Sequence, residues 1–120
     1  MEVSKFIGRL FHARDTAHLY HLSVKGPGAY AAHKAAQKFY EDLLEHVDTL
    51  VESYQGKNQL LSISIEASYT EVSRDLIPYL KALLTYIETE CPFTDSDELN
   101  IIDEIKTLTK QTLYKLIHLQ

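Results

Sequence analysis

Residues 18–52 read HLYHLSVKGPGAYAAHKAAQKFYEDLLEHVDTLVE, and this stretch decides the fold. It holds four of the six histidines, a Gly26-Pro27-Gly28 turn and a helix-period run ending in Asp48 and Glu52. Proline cannot continue a helical hydrogen-bond ladder, and glycine takes the left-handed conformation that ends helices. A turn this short sends the second helix back alongside the first. The stretch is therefore expected to be a pair of antiparallel helices with histidines on both sides of the turn.

Working outward, Phe6, Ile7, Leu10, Phe11, Ala17 and Tyr20 recur mostly at three- and four-residue steps. That spacing predicts a first helix over 3–24. Ala32, Ala35, Ala36, Phe39, Leu43, Leu44, Val47, Leu50 and Val51 supply a wide apolar face for a second helix over 30–54, with Gly56 as its stop. The small alanines at its start allow another helix to approach closely.

The period then changes. Leu61, Ile63 and Ile65 alternate with Ser62, Ser64 and Glu66, which fits an extended segment better than a helix. A short edge strand is one reading; a crossover is the preferred one. About ten extended residues at ~3.3 Å each span roughly the ~35 Å length of the second helix. The third helix, expected over 71–90 with the stripe Leu76, Leu80, Leu83, Leu84 and Ile87, then starts at the opposite end. Pro78 requires either a start just before it or a kink. Pro92 ends this helix, Thr94 or Asp95 can cap a fourth, and Leu99, Ile102, Ile105, Leu113 and Leu116 continue the stripe. The expectation is an all-α, ferritin-like four-helix bundle, one domain over 1–120, with a long crossover between the second and third helices.

Composition excludes several classes. The net charge is −5, with no basic tail or Lys/Arg cluster, so the electrostatic footprint of a nucleic-acid binder is missing. Cys91 is the only cysteine, which rules out an internal disulfide. No apolar run reaches the ~18 residues of a membrane span, and the N-terminus lacks the apolar core of a signal peptide. A soluble cytoplasmic protein is expected. The eight tyrosines are suited to an interface.

Histidine and carboxylate are ligand types for iron, manganese and zinc. With His33 at zero, Gln37 falls at about 40°, Asp48 at about 60°, Glu41 at about 80° and Glu52 at about 100°, all on one side of the second helix. His33 and Asp48 are nevertheless ~22 Å apart along the axis. Metal–ligand bonds are only ~2.0–2.2 Å long, so one ion cannot touch both within one chain. Two arrangements avoid the difficulty. In one, two copies of this helix pack antiparallel about a two-fold axis near Glu41. His21 and His33 of one chain then meet Asp48 and Glu52 of the other, and a symmetric dimer holds two such sites. In the other, His18 and His21 face Glu41 or Glu45 inside one bundle. The Glu-x-x-His pattern of diiron bundles is absent, and Asp15-x-x-His18 is the nearest match. A histidine near a helix end most often serves packing. Two of them joined by a short turn, with carboxylates on one side, form a stronger signal for metal. His12 and His18 are candidates to extend the site, while His46 and His118 are expected to face solvent.

The spacing of His21, Val24-x-Gly26-Pro27, His33, Asp48 and Glu52 resembles the Dps family, the starvation-induced mini-ferritins, over roughly residues 10–56. The resemblance implies iron bound across a two-fold dimer interface by His21, His33, Asp48 and Glu52. It also implies oxidation of that iron by oxygen or peroxide, and a homodimer or larger homo-oligomer. Three departures stand against that pattern. Gln37 replaces the family's aspartate one turn after the second histidine, and a neutral amide is a poorer ligand for a hard cation. Leu22 replaces its tryptophan, and the chain is short and lacks the basic tail. The run Tyr40-Glu41, Val47-Asp48 and 50–56, with Asn100–Ile105, is also similar to small phage-encoded proteins of ferritin-like type. That second likeness implies the alternative function, a non-catalytic assembly or cargo bundle.

Overall fold

The computed structural model describes residues 2–65 and 75–120. Four helices make up the fold: α1 (Glu2–Ser23), α2 (Ala29–Lys57), α3 (Leu76–Glu90) and α4 (Ser96–His118). α1 packs against α2 and α3, and α4 packs against the same two, so α1 and α4 lie on one diagonal.

Side-chain contacts fix the directions. His21 meets His33 across the α1–α2 turn. Phe6, near the start of α1, stacks on Tyr86 late in α3 at 5.6 Å. Lys57 at the end of α2 reaches Asp95 at the start of α4 (3.3 Å). α1 is thus antiparallel to α2 and α3, and α2 is antiparallel to α4. This is the up-down-down-up order of a four-helix bundle in which α2 and α3 run parallel, the all-α bundle expected from the sequence.

Each helix turns an apolar stripe inward. Phe6, Ile7, Leu10, Phe39, Leu43, Leu50, Leu80, Leu83, Ile87 and Ile105 are fully buried. Burying such a side chain contributes about 1.5–3 kcal/mol. Ala32, Ala35 and Ala36 line the start of α2, where small side chains let α1 approach. The turn works as its glycines suggest: Gly26 and Gly28 have φ of 94° and 78°, and the Ala29 amide donates to the Gly26 carbonyl.

Residues 58–65 run extended along the bundle with no strand pairing among the described residues. Leu61 and Ile63 pack half-buried on the core, while Leu60, Ser62, Ser64 and Ile65 face solvent. The expected start of the third helix at Glu71 lies outside the described residues. α3 as described begins behind Asp75, whose carboxylate accepts the Ile77 amide at 3.1 Å. Pro78 therefore sits in the first turn, where its missing N–H has no intrahelical partner to lose, and no kink is needed.

The start of α4 differs from expectation in two respects. Leu99 is exposed, and Glu98 is the inward residue. Asp95 occupies the cap position without capping; its carboxylate accepts Lys57 Nζ instead.

Candidate metal centre

The two histidines flanking the turn are held by each other's backbone. The Nδ1–H of His21 donates to the His33 carbonyl at 2.8 Å, and the Nδ1–H of His33 donates to the His21 carbonyl at 2.7 Å. The rings stack 3.6 Å apart with 19° between their planes. His21 lies in the last turn of α1, where carbonyls lack intrahelical partners, so His33 supplies the missing donor.

A carbonyl oxygen can only accept, so both Nδ1 atoms carry protons. In the neutral ring the lone pair then sits on Nε2. Fixing one ring nitrogen by a backbone carbonyl is how proteins orient a metal-binding imidazole. The arrangement gives two pre-set nitrogen donors close together. His21 is only 8% exposed and His33 is half-buried.

Aromatic groups surround the pair. His18 stacks on Tyr40 at 4.2 Å and lies 6.1 Å from His21. Tyr40 presents its edge to His21 at 5.4 Å, and Tyr30 stacks near His33 at 6.3 Å. Leu22 (68%) and Tyr30 (75%) are the most exposed large apolar residues beside the histidines.

Asp48 and Glu52 are exposed on α2, toward its other end. At ~1.5 Å per residue they lie ~22 and ~28 Å from His33 along the axis. Among the described residues, no group of three or more His, Cys, Asp or Glu side chains could hold a metal ion. One protomer therefore brings His21 and His33 together and does not bring Asp48 or Glu52 to them. Glu41 and Glu45 also form no cluster with His18 and His21. The donor chemistry fits a transition metal, but the described residues of one protomer do not complete the ligand number. Gln37 donates to Glu41 at 3.3 Å.

The remaining histidines have other neighbours. His12 faces α3, where its Nδ1 is hydrogen-bonded to the Tyr79 hydroxyl, which also accepts from Arg9. It belongs to a different side of α1 from His21. His46 is half-buried against α4, with Nδ1 3.4 Å from Glu104, rather than facing open solvent. His118 is exposed as expected.

Two features had no clear sequence signal. Glu98 is 5% exposed, and its pKa is raised, first by desolvation and then by the charges of Asp95 and Asp97, with Lys57 opposing. The Arg9–Tyr79–His12 group links α1 to α3, with the Arg9 guanidinium 4.9 Å from the Tyr79 ring centre. Among the described residues no helix is long and apolar enough to cross a membrane.

No curated protein and no solved structure matches the chain. A family model does match, over residues 21–116, a span that contains His21, His33, Asp48 and Glu52. The chain belongs to that family, described as a family of unknown function, DUF5856.

Proposed function

We propose that this member of the family is a Dps-like, mini-ferritin-type bundle that binds iron at a site shared by two copies of the chain. His21 and His33 of one copy are the nitrogen ligands. Asp48 and Glu52 of the other are the carboxylate ligands. The observation that carries the reading is the reciprocal hydrogen bonding of His21 and His33, which leaves both Nε2 lone pairs available.

Two imidazoles with one or two carboxylates suit ferrous iron, and also manganese or zinc. An antiparallel pairing of α2 about its middle supplies carboxylates that the described residues of a single protomer do not bring to the pair. By symmetry it makes two equivalent sites. The exposed Leu22 and Tyr30 beside the histidines support a covered face there. Iron is the cargo in this reading. Its oxidation by oxygen or peroxide is the activity that the mini-ferritin resemblance adds.

The test is elemental analysis of the purified protein, followed by anaerobic titration of metal-free protein with ferrous iron in a calorimeter. Saturable binding with one site per chain supports the proposal. Absence of binding by iron, manganese and zinc overturns it. One observation favours a second reading, a non-catalytic assembly bundle. Gln37 is engaged with Glu41 and is a neutral amide where the resembling family has a carboxylate. A stable oligomer that takes up no metal supports that alternative.

A further inference from the structure

α2 carries most of its charges in two blocks, and Lys57 at its very end is paired with Asp95 at the start of α4. Lys34 and Lys38 stand near its start; Glu41, Asp42, Glu45, Asp48 and Glu52 run from its middle to its end. At ~100° per residue, Lys34, Glu41, Glu45, Asp48 and Glu52 fall within ~60° of one another, on one outward stripe.

Pairing within the protomer leaves a specific remainder. Lys38 Nζ donates to Asp42 at 2.8 Å, and this contact raises the Lys38 pKa. Glu41 accepts from Gln37. Lys34 borders the same groove as Asp42 and Glu41 but makes no ion pair among the described residues. Asp48 and Glu52 are exposed and make none either. One unmatched cation, Lys34, therefore sits near one end of the stripe, and three carboxylates without an ion pair among the described residues, Glu45, Asp48 and Glu52, run toward the other.

Lys34 and Asp48 are ~21 Å apart on the helix axis, and Glu41 is midway between them. A two-fold axis at Glu41 brings Lys34 of one copy level with Asp48 of the other, twice. That register sets Lys34 opposite Asp48, whereas a parallel pairing in register sets Lys34 opposite Lys34 and Asp48 opposite Asp48. At the axis Glu41 meets its own copy. Glu45 of each copy lies one turn away, level with Gln37 of the other; the neutral Gln37 adds no charge there, whereas a carboxylate at 37 would raise the acids around the axis from four to six.

We propose that in the metal-free protein a second copy of this chain packs α2 against α2 in this antiparallel register, and that Lys34 of each copy pairs with Asp48 of the other. This inference rests on the shared site proposed above and adds its regulation. The Lys34 ammonium occupies the carboxylate that the metal needs, so an entering ion must displace it. Lys34 then sets both the strength of the apo dimer and the threshold for metal uptake.

Sedimentation equilibrium of metal-free protein at low and high salt tests the register. The wild type should dimerise more weakly as salt rises, because exposed pairs are screened. Lys34→Glu should weaken the dimer about tenfold or more, through two lost pairs and two repulsions. The double variant Lys34→Glu with Asp48→Lys should restore it. Lys34→Gln should bind ferrous iron more tightly than wild type. Circular dichroism checks that each variant is folded. A dimer indifferent to Lys34→Glu, or not rescued by the swap, overturns the pairing and leaves the metal proposal standing. A charge-dependent, rescued dimer that takes up no metal keeps the ion pair and overturns the metal proposal. A monomer under all conditions overturns both.

Discussion

Gly8 and Ser64 meet where the crossover passes over α1. A β-carbon on Gly8 would lie 2.3 Å from the Ser64 carbonyl oxygen. The neighbour is backbone, so no side-chain rotation relieves the clash. The absent side chain is what lets residues 58–65 lie flat on the bundle and bring Leu61 and Ile63 onto the core. Gly8→Ala should destabilise the protein by about 1–3 kcal/mol by forcing the crossover outward. Gly56→Ala is the control, because nothing lies within 4 Å of the added carbon in that helical position. It should stabilise by about 0.5–1 kcal/mol. Urea denaturation of the two variants checks the pair.

Glu98 gives a pH dependence with a definite sign. Its folded-state pKa is raised above the ordinary 4.5. Between those two values the folded state binds more protons than the unfolded one, so stability falls as pH rises through that window. At neutral pH the buried carboxylate is a cost. Glu98→Gln should be more stable than wild type at pH 7. The difference should shrink as the pH falls and vanish below the unfolded-state value. Equal stability at pH 7 would show that the charge is relieved by its neighbours.

The histidines and the carboxylates should separate in stability. His33→Ala removes the donor to the His21 carbonyl and the ring stacked on His21. Such a loss costs about 1–3 kcal/mol. Asp48 is exposed, and Asp48→Ala should change protomer stability by no more than about 0.5 kcal/mol. Thermal melts at dilutions that keep the protein monomeric make the comparison. A large loss for Asp48→Ala would mean that it has a structural role within the chain.

The bundle was legible wherever one residue pattern allowed only one packing. The stripes of Phe6, Ile7 and Leu10 and of Phe39, Leu43, Val47 and Leu50 placed α1 and α2 directly. The period-two run at Leu61 and Ile63 marked the crossover because no helix buries alternate residues. At the start of α4 the apolar pattern points to Leu99 as the inward residue, and the structure turns Glu98 inward instead. Leu99 is the better hydrophobe, but the register set by Ile102 and Ile105 turns Glu98 inward. The nearness of His21 and His33 followed from the Gly-Pro-Gly turn. Their exchange of hydrogen bonds did not, since it depends on the rotation of both helices and on two ring orientations. His46 departs from the solvent-facing position expected of it for a similar reason. Its meeting with Glu104 is set by the α2–α4 register, which the lone pattern of either helix does not fix.

The separation of Asp48 from His33 along one helix was arithmetic, and it makes the second copy the central claim. The most direct measurement is anaerobic calorimetric titration of ferrous iron into metal-free wild type and Asp48→Ala, with folding of both checked by circular dichroism. The account predicts saturable binding by wild type and its loss in a fully folded Asp48→Ala, a residue ~22 Å from the histidines of its own chain. Unchanged affinity in Asp48→Ala would contradict the shared site.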